Sequence, residues 1–186
     1  MAKYPDVTAG QTESCINRLG GWDNFLRFIG GSGKVVFDSI LTLLREVKLD
    51  AQSAVTTSEE YFEEAGVKWA DENVKAQFIG LDIPDTPASD FCVRKLEHSS
   101  PDAPIVAELG GEEKAETSVA HFKDFLSKNR KSTEWFIFYL RGRGGKLWAV
   151  YALRNLRRAD WDVGGHSVTS PFDWLAVDRV VSRKSA

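Results

Sequence analysis

Apolar side chains recur at helical spacing in some stretches of this chain and at every second position in others. Trp22, Phe25, Leu26 and Ile29 form the stripe of a helix with one buried face, and Cys15, Ile16 and Leu19 form a shorter one over residues 12–19. Gly20-Gly21 stops the first helix and Gly30-Gly31-Ser32-Gly33 the second, since glycine ends helices at low steric cost. Thr57 with Glu60 three residues on reads as a capping box, which predicts a helix ending at Gly66. Residues 117–129 place Val119, Phe122, Phe125 and Leu126 on one face and Lys123, Lys128 and Arg130 elsewhere, predicting an amphipathic helix.

Residues 74–83 and 91–96 predict strands, separated by a turn region at Pro84 and Pro87. Residues 135–141 and 146–154 flank Gly142-Arg143-Gly144-Gly145 as the two arms of a hairpin. Residues 161–168 and 177–182 extend this into an antiparallel meander, with Ser170-Pro171 as the intervening turn. Residues 135–140 are apolar at both parities, which predicts a central strand covered on both sides. Residues 35–50 read equally as strand or helix, and 105–109 are a short apolar run before Gly110-Gly111.

These elements give an α+β fold: a mostly antiparallel sheet of about six strands, with the amphipathic helix and short N-terminal helices packed on it. One domain over residues 1–186 is expected, as a small helical segment at 1–33 and an α+β body at 34–186. A hydrophobic share of 42% and a charged share of 27% are those of a folded chain, and eleven Phe with six Trp supply a sizeable core. The start of the chain lacks the apolar run of a secretory signal, and no apolar stretch approaches membrane-spanning length. The expected setting is therefore cytoplasmic, without membrane contact. Cys15 and Cys92 do not make a disulfide framework, so reduced core thiols are the simpler expectation.

Charge changes that picture in one respect. Residues 1–140 carry a net −8, whereas residues 141–186 hold nine Lys/Arg against four Asp/Glu, a net +5. Arg141, Arg143, Lys146, Arg154, Arg157 and Arg158 interleave with Trp135, Tyr139, Trp148, Tyr151 and Trp161. A basic sheet with exposed rings stacks single-stranded bases while neutralising phosphate, which makes these six residues the candidate nucleic-acid contacts. Against it, hairpin geometry alone accounts for the glycines, and strand alternation places most of the rings in the core.

Catalytic chemistry has less to stand on. His98, His121 and His166 stand alone in sequence, and no Cys-x-x-Cys or His-Glu-x-x-His spacing suggests a metal. Gly30-Gly31-Ser32-Gly33-Lys34 mimics a phosphate cradle, but a helix precedes it and Val35 stands where a magnesium-binding hydroxyl belongs. Cys92 between Phe91 and Val93 reads as a packed thiol. Asp160 with Asp162, and Glu108 with Glu112, are carboxylate pairs that a solvated face also explains. No cofactor is implied.

Several segments resemble a group of small uncharacterised bacterial proteins of unknown function. They are Leu19-Gly20-Gly21-Trp22-Asp23-Asn24-Phe25-Leu26-Arg27, Ala107-Glu108-Leu109-Gly110-Gly111-Glu112-Glu113-Lys114-Ala115-Glu116-Thr117, Trp135-Phe136-Ile137-Phe138-Tyr139, Leu147-Trp148-Ala149-Val150 and Arg179-Val180-Val181-Ser182-Arg183. The resemblance implies a bacterial-type, intracellular, self-contained domain and brings no activity or site with it. The preferred expectation is a non-enzymatic binding or protein-interaction domain with a protein partner, since Trp and Arg are enriched at binding hot spots. Single-stranded nucleic-acid binding is the alternative. A hydrolase gathering His98, His121, His166, Asp160 and Asp162 comes third.

Overall fold

Strands β1 (Leu41–Leu49) and β5 (Ser89–Leu96) pair antiparallel over their whole length, with a bulge between Leu43 and Arg45. The computed structural model describes residues 39–184, so the helices expected at 12–19 and 22–29, and Cys15, lie outside the described residues. Between β1 and β5 come β2 (Val55–Thr56), α1 (Glu59–Glu63), β3 (Val67–Ala70), α2 (Glu72–Phe78) and β4 (Asp82–Ile83). After β5 follow β6 (Ser100–Pro101), α3 (Asp102–Glu108), α4 (Glu112–Ala115), β7 (Glu116–Thr117) and α5 (Val119–Lys128). The chain then runs through β8 (Trp135–Arg141), β9 (Leu147–Asn155), β10 (Asp160–Ser167), β11 (Asp173–Trp174) and β12 (Arg179–Arg183).

Eight of these strands form one mixed sheet, in the order β1-β5-β12-β8-β9-β10-β3 with β7 also pairing β8. The α+β class is as expected, and the sheet is larger than the six strands anticipated. The meander β8-β9-β10 is present, but β12 does not extend it. It inserts parallel to β8 and antiparallel to β5, in the middle of the sheet. Further parallel pairs join β10 to β3 and β8 to β7. The arms of the 142–145 hairpin meet as their glycines predict, Gly144 and Gly145 both taking positive φ.

Residues 74–83 correct the strand expectation. Asp71 accepts the Val74 amide at 2.7 Å and starts α2, which turns Val74 and Phe78, four residues apart, into the core. Within this range only Asp82–Ile83 forms a strand. Ser58 rather than Thr57 caps α1, accepting from the Tyr61 amide at 3.2 Å. Thr57 is buried and its hydroxyl accepts from the Leu81 amide at 2.9 Å instead. The apolar run at 105–109 forms the end of α3 and its C-cap Leu109, and residues 41–49 of the ambiguous stretch are strand.

Both faces of β8 are buried, as its composition predicts. Phe136, Phe138 and Leu140 meet one layer, built from Phe62 of α1, Val74 and Phe78 of α2 and Phe122, Phe125 and Leu126 of α5. Phe125 stands edge-on to Phe136 and Phe138 at 4.9 and 5.2 Å, and truncating it to alanine would cost about 3–5 kcal/mol. Ile137 and Tyr139 meet the other layer, with Ile105 of α3, Leu109 at its C-cap, Ala115 of α4 and Trp174 of β11. Alternation along β9 and β10 continues this division, so Tyr151, Gly164 and His166 share the second face while Trp161 and Val163 share the first. No helix among the described residues is long and apolar enough to cross a membrane.

Candidate interaction surface

The second face of the sheet is organised around one carboxylate. Asp102 opens α3 directly after Pro101 and is fully buried. Its Oδ1 accepts from the Tyr139 hydroxyl at 2.9 Å and from Trp174 Nε1 at 2.7 Å, and its Oδ2 meets His166 Nε2 at 3.0 Å. A buried carboxylate is tolerated only when its oxygens are satisfied, and here three side chains and its place in the first turn of a helix do so. Burial, then the Asp102 charge and the hydrogen bond to it, push the Tyr139 phenol far above its ordinary value, which keeps it a donor.

Around this centre the rings touch in sequence. His166 stacks on Trp174 at 5.1 Å, and Phe172 contacts both His166 at 4.8 Å and Trp174 at 4.9 Å. Tyr151 meets Trp174 edge-on at 6.0 Å and stacks on Trp135 at 6.0 Å. Gly164 makes room for this arrangement: a Cβ there would lie 2.2 Å from the Tyr151 hydroxyl oxygen. The run of rings ends bare at both sides, with Trp135 43% and Phe172 46% exposed.

After Trp174 the chain makes a tight turn that carries two more bare apolar side chains, Leu175 at 67% and Val177 at 61% exposure. Val177 sits at φ 85°, a conformation that costs a β-branched residue of order 1–3 kcal/mol. Its amide donates to the Leu96 carbonyl at 2.7 Å, and the Asp178 carboxylate accepts from the Leu175 amide at 3.1 Å. Burial raises the Asp178 pKa despite that hydrogen bond and the nearby Arg179. The turn is thus fixed at both ends while its apolar side chains face outward.

Most of the six residues proposed as nucleic-acid contacts turn inward or pair. Arg141 bonds Glu116 at 2.8 Å and approaches Glu112 at 3.7 Å. Arg143 reaches across to the carbonyls of Ile79 and Gly80. Arg154 lies 5.3 Å over the Trp161 ring and also bonds the Ala159 carbonyl. Arg158 bridges Asp160, at 3.0 Å, and Asp162. Lys146 and Arg157 are exposed without an ion pair among the described residues. Arg154 also stands on the first face of the sheet, opposite Trp135 and Tyr151, so this guanidinium and the bare rings do not share a surface. Of the five interleaved rings, Tyr139 and Trp161 are fully buried.

The histidines and carboxylates named as a scattered catalytic set also remain apart. His98 is exposed, and His121 is buried on α5 with its Nε2 3.0 Å from the Pro87 carbonyl. Asp160 and Asp162 are held by Arg158. Glu108 accepts from the Ile40 and Leu41 amides, while Glu112 faces Arg141. His166 alone gains a carboxylate, and that carboxylate is Asp102. A carboxylate-oriented imidazole is the form of a general base, but the neighbouring Ser167 hydroxyl pairs with Thr169 at 2.9 Å. Among the described residues no cluster of three metal-ligating side chains occurs, and Cys92 is a buried free thiol.

Asp102 and Trp174 carry no local signature as a pair, because the centre joins the start of α3, the central strand β8 and the distant segment 166–174. The one local signal was Pro101-Asp102 ahead of an apolar run, a helix start. Comparisons with protein-family models, curated proteins and solved structures give no match to this chain.

Proposed function

We propose that this chain is a non-enzymatic protein-interaction domain, whose docking surface is the 172–177 turn together with Trp135. The observation that carries the reading is Val177. The turn's backbone bonds require positive φ at this position, where glycine would serve at lower cost, yet a β-branched residue stands there among bare apolar side chains. The occupant is an apolar pocket on a partner protein. Arg179 and Lys95, next to the turn in sequence or register, are taken up by Glu134 and Glu97 at 2.7 Å each, leaving little positive charge there for anionic lipid or nucleic acid. Bare aromatic side chains beside a rigid base, here Trp135 and Phe172, are the kind of anchor that protein contacts use.

Two measurements on the full chain test it. A photoreactive benzoylphenylalanine at position 175 is expected to give discrete protein adducts in the native cell. These adducts should be absent when the probe sits at the exposed Ser53, away from the turn, and lost when Phe172→Ser is added. In parallel, Val177→Gly is expected to stabilise the fold by about 1 kcal/mol in urea while weakening the adduct. Nucleic-acid adducts, or the same adducts from both probe positions, would overturn the reading. So would a Val177→Gly variant that is both more stable and fully competent.

A further inference from the structure

A second surface lies at the far edge of the sheet. β3 pairs with β10 on one side only, and among the described residues no strand meets its other side. Beside it, between α1 and α2, is a cavity of about 140 Å³ floored by Phe62, Val67, Val74, Ile79 and Val163. Trp69 stands at its mouth, 50% exposed.

The size of the cavity selects its occupant. Sites for cofactors and drug-sized ligands run to roughly 300–1,000 Å³, so this one has room for a single bulky side chain. Its rim carries Glu59 and Glu63 opposite Lys68 and Lys75, with Lys68 and Glu63 3.5 Å apart, so it offers no net field for a polyanion or an anionic membrane. An open strand edge beside an apolar socket matches the chemistry of strand addition, in which backbone hydrogen bonds supply affinity and alternate side chains fill pockets. A four-residue edge with an outward lysine is also how proteins blunt unwanted pairing. A half-bare tryptophan beside an apolar cavity works against blunting, because it rewards whatever binds there.

We propose that β3 and this cavity bind an extended segment of a partner protein, which adds as a strand to the sheet and buries one apolar side chain against Trp69. The proposal is independent of the 172–177 surface. The test selects a phage-displayed library of random twelve-residue peptides on the full chain and measures the best synthetic peptide by fluorescence anisotropy. Enriched sequences should share one bulky apolar residue among β-forming neighbours. Trp69→Ala, at an exposed position that leaves the core intact, is expected to weaken binding at least tenfold, whereas Leu175→Ser should leave it unchanged. N-methylation of alternate peptide amides should abolish binding in one register and spare it in the other. Absence of enrichment, indifference to Trp69→Ala, or indifference to N-methylation in both registers would overturn the proposal. A concentration-dependent dimer broken by Trp69→Ala would overturn it too, by assigning the edge to a second copy of the chain.

Discussion

Asp102 and Trp174 are 72 positions apart in sequence, yet a 2.7 Å hydrogen bond joins the carboxylate to the indole Nε1 inside the core. That bond ties the start of α3 to β11 and so sets where the apolar turn begins. The same oxygen holds Tyr139 on the central strand.

Removing this acceptor leaves buried donors unpaired. Asp102→Ala is expected to cost about 3–5 kcal/mol in urea unfolding, since the phenol and indole lose their partner in a dry environment. Asp102→Asn keeps a carbonyl oxygen for Tyr139 and Trp174, and its amide can donate to His166 once that ring changes tautomer, so a smaller loss is expected. Equal losses for the two variants would show that the charge, not the acceptor geometry, holds the centre together.

Gly164 is a packing requirement rather than a turn residue. Gly164→Ala should force the Tyr151 ring off its place between Trp135 and Trp174, at a cost on the order of 1–3 kcal/mol. Combining it with Tyr151→Ala, which empties that space, should cost clearly less than the sum of the two single changes. Strictly additive losses in thermal unfolding would contradict the close approach.

His121 and Glu134 are among the groups that make stability fall towards acid. His121 is driven below its ordinary value of 6.5 chiefly by burial, a drop that the Pro87 carbonyl only partly offsets. The unfolded chain therefore takes up this proton first, and the contribution present above pH 6.5 fades as pH falls towards the lower folded value. Glu134 is pushed up by burial but brought below 4.5 overall by its bonds to Arg179 and Arg45, so its contribution is lost at still lower pH. Asp178, raised by burial, acts in the opposite sense. His121→Gln should flatten the part of a urea-midpoint profile that falls below pH 6.5 while leaving the steeper fall below pH 4.5, and an unchanged profile would refute the assignment.

What the sequence made legible were features written locally. The hairpin at Gly142–Gly145, the α5 face through Phe122 and Phe125, and the double burial of β8 each follow from spacing within a dozen residues. Residues 74–83 were misread because a run rich in apolar groups satisfies both periods, and only the Asp71 cap distinguishes them. The basic cluster illustrates a different limit. Arg158 finds Asp160 and Asp162 a few residues away, but Arg141 is neutralised by Glu116, 25 positions upstream, through a pairing that only the β7–β8 contact creates. The Asp102 centre was invisible for the same reason, since register across strands, not sequence proximity, brings its donors together.

The placement of β12 bears on how the molecule is made. The pair β1–β5 and the trio β8-β9-β10 touch β12 from opposite sides, so neither group is zipped to the other until residues near 180 have been synthesised. Such late, long-range closure implies slow assembly, with the Phe136–Phe138 stretch of β8 left uncovered on that side in the nascent chain, since β7 pairs only Tyr139 and Leu140.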